Sequence, residues 1–258
     1  MSELEIVVLG VGDTFSERHF GSSLLLRCGS FCLGIDCPDR YRAVLQAAAE
    51  RSGQALTLAD IDHLLITHVH GDHMNGLEGV AFYKHFVERR RLKLVCAPEV
   101  REQIWEERLK ASMSVLFDGA EYRHQSFEDY FEHVPLPWDA PLTLGPLTVR
   151  ARRTVHHVPT SALLVTAAGR TLGYSADTAF DPELIAFLSA ADLIIHETNF
   201  GPAHTPYEKL AALPAQLRAK MRLIHYPDSF DLATSAIAPL REGDYLRLST
   251  SERREGAA

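Results

Sequence analysis

Thr67-His68-Val69-His70-Gly71-Asp72-His73 sets three histidines and one aspartate within six consecutive positions. The stretch follows an apolar run, Leu64-Leu65-Ile66. A strand that ends in such a tight, glycine-containing turn can aim all four side chains into one small space. Imidazole nitrogen and carboxylate oxygen are ligands of borderline softness, suited to zinc, iron or manganese. A lone histidine here would read as an ordinary strand-end residue. The H-x-H-x-D-H pattern reads as a metal turn.

Around that turn the composition is globular. The chain has 258 residues, 46% hydrophobic and 23% charged, enough to bury a sizeable core without staples. We expect one domain over residues 1–248 and a flexible tail over 249–258. The formal net charge of -8 opposes long nucleic acid as a partner, since a polyanion is repelled at a distance. Thirteen histidines are many for this length and fit a metal protein. Cys28, Cys32, Cys37 and Cys96 form no C-x-x-C pair and read as reduced thiols of a cytoplasmic protein. The first residues, Met1-Ser2-Glu3-Leu4-Glu5, carry no basic leader pattern, and no apolar stretch approaches the roughly 18 residues of a membrane span.

Strand signals come first in each half of the chain, followed by helical ones. Leu4 to Leu9, Leu24 to Arg27, Phe31 to Ile35, Ile61 to Ile66 and Leu92 to Cys96 read as strands. Tyr41 to Arg51, Gly76 to Arg91, and the segment from Pro98 to about Lys110 read as helices. Residues 111–141 are irregular, aromatic and acidic. They suit either a substrate-selecting lid or a helical hairpin packed on the core, and Ser126-x-x-Asp129 resembles a helix start. Strands return at Leu147 to Val155, Leu163 to Thr166, Arg170 to Tyr174, Leu193 to Ile195, Leu223-Ile224 and Gly243 to Leu248. Pro182 to Leu188 is a short helix, and Pro214 kinks or splits the helix from Tyr207 to Lys220. Two such halves predict an α/β fold, an αββα sandwich of two mixed sheets with helices outside.

The later histidines and acids also follow strands. His156 and His157 come after Val155, Asp177 after Tyr174, and His225 after Ile224. Strand ends that meet at one rim would supply ligands for two cations. Asp177, an isolated acid in Gly173-Tyr174-Ser175-Ala176-Asp177-Thr178, is the natural bridge between them.

With these motifs the sequence resembles the metallo-β-lactamase-fold hydrolases over nearly its whole length. The resemblance implies a first metal on His68, His70 and His156, a second on Asp72, His73 and His225, and Asp177 between them. His157, which begins His157-Val158-Pro159-Thr160-Ser161, is the alternative to His156; the spacing to Pro159 favours His156. Zinc is the implied metal, with manganese or iron as alternatives. Asp192-Leu193-Ile194-Ile195-His196-Glu197-Thr198-Asn199-Phe200 and His204-Thr205 are similar to segments of the ribonuclease Z-like and phosphodiesterase branch. That branch implies Glu197 and His204 as the proton-delivery pair, with Asp72 orienting the attacking water and taking its proton.

The motif is met only in part. The branch's usual serine is absent after His225, where the chain reads Tyr226-Pro227-Asp228, and no lysine-rich arm for transfer RNA is evident. The expected activity is therefore dinuclear hydrolysis of a small phosphodiester. Acyl hydrolysis (lactone, thioester or lactam), ribonuclease Z-like RNA processing and a non-catalytic metal-binding role are the alternatives. A homodimer is expected on base rate. Arg150 and Arg152 share a strand face with His156 and suit either a phosphate clamp or a solvated face, the latter being the plainer reading.

Overall fold

The computed structural model describes residues 3–249. The tail expected over 249–258 lies, from residue 250 onward, outside the described residues. Alternation along the first strand, Leu4–Gly10, divides its side chains between two layers. Ile6 and Val8 enter one core with Leu24, Leu26, Leu33 and Ile35, which continues into Val149, Val165 and Tyr174 of the second sheet. Val7 and Leu9 point the other way, into a core with Tyr41, Val44, Leu45 and Ala48 of the helix Tyr41–Ser52. The same period-2 rule thus builds both the interior of the sandwich and the seat of an outer helix.

One sheet has seven strands, in the order Tyr245–Leu248, Leu4–Gly10, Ser23–Cys28, Phe31–Ile35, His63–Leu65, Leu92–Cys96, Phe131–Pro135. The other has six, in the order Met221–Ile224, Leu193–Glu197, Arg170–Tyr174, Ser161–Ala167, Leu147–Arg153, Leu142–Leu144. Together with the outer helices this is the αββα sandwich. Each sheet is mixed. Phe31–Ile35, His63–Leu65 and Leu92–Cys96 run parallel in the first, and Arg170–Tyr174, Leu193–Glu197 and Met221–Ile224 run parallel in the second. Parallel neighbours end at one edge, and ligands collect at the carboxyl ends of such strands. Asp36, the turn at 67–73, Asp177, Glu197 and His225 all sit at or just past such ends. The Ser161 N–H donates to the Thr67 carbonyl at 3.2 Å and ties the two sheets together beside the metal turn.

Several expected elements differ in detail. The strand before the metal turn is only His63–Leu65; Ile61 instead caps a single 3-10 turn, Leu58–Asp60, with its N–H donating to the Leu58 carbonyl. The helix expected from Gly76 is Leu77–Phe82 with a wider π-helical turn at Tyr83–Val87. Pro214 splits the late helix into Tyr207–Ala211 and Ala215–Ala219. Residues 111–141 hold a two-stranded hairpin, Val115–Phe117 with Tyr122–His124, rather than a helical one. They also hold the short capped helix Phe127–Tyr130 and the edge strand Phe131–Pro135. Short β-strands of three residues carry too little alternation to be read from sequence.

Candidate metal centre

His68, His70 and His156 converge. The Nδ1 atom of His70 lies 3.1 Å from Nε2 of His68 and 3.1 Å from Nε2 of His156. Donors about 2.0–2.1 Å from a tetrahedral zinc would stand roughly 3.3–3.4 Å apart, so this spacing suits one shared cation. Asp177 Oδ2 is 3.7 Å from both His68 Nε2 and His156 Nε2. A second group adjoins it. Asp72 Oδ2 lies 3.4 Å from His73 Nε2 and 3.2 Å from His225 Nε2. Asp177 reaches this group too, with Oδ1 at 3.4 Å from His73 Nε2 and Oδ2 at 3.5 Å from His225 Nε2. One carboxylate therefore stands between two clusters of three side chains. His73 Nε2 and Asp177 Oδ1 are buried without a hydrogen-bond partner. Orphaned buried polar atoms are rare in native proteins and need an explanation. Divalent cations fit this donor set, and would give both atoms a partner.

Several of these rings are aimed by a bond to the other nitrogen or by the backbone. His73 Nδ1 is 2.9 Å from Asp36 Oδ2, and Asp36 Oδ1 accepts from the Thr67 N–H at 2.8 Å. His156 Nδ1 is 3.0 Å from the Ala203 carbonyl, a bond that fixes Nε2 as the free donor. Asp36, Ala176 and His225 have φ of 61°, 48° and 58°. Such left-handed turns are uncommon for residues other than glycine and cost roughly 1–3 kcal/mol each. Here each turn lies at or immediately before a side chain of the cluster or its support. The strained backbone swings those side chains off the strand axis toward the rim.

The electrostatics of these groups suit bound positive charge. Burial, with Asp177 opposing it, pushes His68 well below the usual imidazole range, and burial sends His156 down to about 4. Both are neutral and free to donate a lone pair. Burial also works against the charge on His73, but Asp177, Asp72 and Asp36 outweigh it and hold that ring well above its ordinary value. Asp177 stays ionised despite burial, because His225 and His73 lie beside it.

Glu197 and His204 meet as a pair, with His204 Nδ1 3.0 Å from Glu197 Oε1. Glu197 is fully buried and accepts from the Thr178 N–H at 2.7 Å. Burial, with Asp177 next in weight, pushes its carboxyl well above the usual range. The His204 ring stacks on His225 at 5.4 Å and lines a cavity of about 530 Å³ with Asp72, Asp177 and His225. His157 also lines that cavity, 6.2 Å from the His70 ring and outside the converging nitrogens. Arg152 pairs with Glu183 and Arg150 lies over Phe187, so both occupy the strand face away from the cavity. No residue of 111–141 is among those lining it.

Sequence reading missed Asp36, Asp13 and Asn199. Asp36 follows the apolar strand Phe31–Ile35 as the later ligands follow theirs, and that shared position was its signal. Asp13 and Asn199 are bonded to each other across 186 positions, with no local signal for the pair.

The chain matches the family model described as "Anti-Pycsar protein Apyc1" over residues 4–240. It is 33% identical over 251 residues to an Anti-Pycsar protein Apyc1 from Paenibacillus sp. (strain J14), covering 95% of this chain and 96% of that one. It is 26% identical over 201 residues to cAMP/cGMP-dependent 3',5'-cAMP/cGMP phosphodiesterase B of Dictyostelium discoideum, covering 71% of this chain and 17% of that one. Among solved structures, the metallo-beta-lactamase fold protein YhfI from Bacillus subtilis superposes with a TM-score of 0.73 at 19% identity, covering 95% of this chain and 99% of that one. Zn(2+)-bound PqqB from Methylobacterium extorquens superposes with a TM-score of 0.68 at 14% identity, covering 95% of this chain and all of that one.

Proposed function

This chain belongs to the Anti-Pycsar protein Apyc1 family, and on that premise we propose that it is a metal-dependent phosphodiesterase that opens a small 3',5'-cyclic nucleotide. One observation carries the reading: a histidine held by a buried carboxylate stands beside a double cluster of metal donors in one cavity. The relatedness to a cyclic-nucleotide phosphodiesterase supports the substrate class. The net charge of -8 favours a small phosphodiester over long nucleic acid.

His68, His70 and His156 would hold one divalent cation, Asp72, His73 and His225 a second, and Asp177 both. Zinc is the first choice, with manganese and iron suited to the same donors. Cations held there would supply Lewis acidity and make a water nucleophile available near neutral pH. The chain's own residues do the rest. Asp72, with its Oδ2 among the donors, orients the attacking water and takes its proton. Glu197 fixes the His204 ring through Nδ1, which leaves Nε2 to deliver a proton to the departing ester oxygen. A histidine oriented in this way is the general acid that an alkoxide leaving group requires.

The test is a substrate panel on protein reconstituted with zinc or manganese, with metal content measured in parallel. Purine and pyrimidine 3',5'-cyclic nucleotides should be opened, and an aryl ester and a chromogenic lactam should not. Faster turnover of the ester or lactam would assign the site to acyl chemistry.

A further inference from the structure

Phe15 is 85% exposed and Phe200 is 72% exposed. Single exposed apolar residues need no explanation, but these two line the same cavity as Asp72, Asp177 and His204. They reach it from distant parts of the chain. Polar bonds, rather than core packing, hold their backbones. The Phe15 N–H donates to Asp13 Oδ1 at 3.0 Å, and the Phe200 N–H donates to Asn199 Oδ1 at 2.7 Å. Asn199 Nδ2 donates in turn to Asp13 Oδ2 at 2.9 Å and to the His225 carbonyl at 3.1 Å. One buried acid and one amide therefore fix both loops, and the amide ties them to a residue of the metal cluster.

We propose that Phe15 and Phe200 form an aromatic subsite that stacks the nucleobase of the substrate while its phosphodiester lies at the cluster. The inference rests on the phosphodiesterase reading and adds to it the part of the cavity that selects a nucleotide over a simple phosphodiester. The chemistry favours a planar heterocycle. A flat π-face covers an exposed ring, is worth about 5- to 150-fold in binding per stacked base, and serves purines and pyrimidines alike. The cavity of about 530 Å³ is of the size that takes a small ligand. Asp13 and Asn199 act through the phenylalanines as positioning residues.

The test compares adenosine 3',5'-cyclic monophosphate with a base-free analogue, methyl riboside 3',5'-cyclic phosphate. In the Phe15→Leu/Phe200→Leu double variant, the ratio of kcat/KM for the nucleotide to that for the analogue should fall by about 5- to 150-fold. Both side chains are exposed, so the variant should fold as the parent does. An unchanged ratio overturns the subsite while leaving the phosphodiesterase reading intact. A second readout needs no turnover. Saturation-transfer NMR on the zinc-loaded chain with adenosine 5'-monophosphate should show transfer to the base protons H2 and H8, weakened in the double variant. Transfer confined to the ribose would overturn the proposal, even if the parent protein hydrolyses no cyclic nucleotide and the functional reading itself fails. Asp13→Ala should raise KM for the nucleotide with kcat kept; a fall in kcat at constant KM would remove the positioning role.

Discussion

The two halves of the site are built in different ways. The first half takes His68, His70, Asp72 and His73 from one turn, and a single acid, Asp36, braces that turn through Thr67 and His73. The second half takes His156, Asp177 and His225 from three separate strand ends, aimed by the Ala203 carbonyl, by the left-handed turn at Ala176 and by that at His225. Local chain geometry makes the first half. Sheet order makes the second, since His225 reaches the rim only because Met221–Ile224 runs parallel to Leu193–Glu197. A shift of one residue in such a register turns every side chain to the opposite face. The difference suggests that the turn is the nucleus of the site, and that its far ligands depend on the whole sandwich.

The sharpest way to break the comparison is to cut what joins the halves. Asp177→Ala removes the carboxylate shared by both donor groups. Metal content should fall below two per chain, and hydrolysis should fall by at least about 10³-fold, since metal assistance is worth several kcal/mol. Metal analysis beside kinetics checks it. Two retained ions with normal turnover would mean that the clusters act independently.

His204→Ala is expected to be the next largest. His204 bonds Glu197 rather than the converging ring nitrogens, so metal content should stay at the parent's value. Turnover should drop by about 10²–10⁴-fold on an alkoxide leaving group, and by less on p-nitrophenolate, which departs without a proton. Equal losses on both leaving groups would take the general-acid role away from this histidine. His204 also lies within reach of Asp177 and His225 as a donor, so loss of metal in this variant would reassign it as a ligand.

How much could be read in advance follows the same division. The turn at 67–73 is legible because its histidines and aspartate are neighbours in sequence and their spacing is unusual. His225 and Asp177 are legible only as a base and an acid after apolar runs, and their reading as ligands rests on the family resemblance. His156 and His157 are alike in composition and differ in side-chain direction: His156 joins the converging nitrogens and His157 stays outside them. Asp13–Asn199 was invisible, since a bond across 186 positions leaves no periodic trace. The hairpin at Val115–Phe117 and Tyr122–His124 was missed because each strand is three residues long. The fold class itself was legible, because two runs of strands followed by helices leave few ways to bury both sheets.

Asp36→Asn should give the smallest effect and test the bracing of the turn most directly. The substitution keeps shape and removes an acceptor. Asp36 Oδ1 takes the Thr67 N–H while Oδ2 faces His73 Nδ1, so both oxygens accept. An amide must turn its NH₂ toward one of them. Facing His73, it forces Nδ1 to accept, which moves the ring proton to Nε2 and removes the lone pair a metal needs. Facing Thr67, it sets donor against donor in a fully buried place. Either way the second cation loses a properly poised ligand, while His68, His70 and His156 keep theirs. Metal affinity should weaken by about 10–100-fold at one site of the two, read as a first ion lost at chelator concentrations that leave the parent with both. Equal weakening at the two sites would show that Asp36 braces the whole rim, and that the turn is less autonomous than its compact sequence suggests.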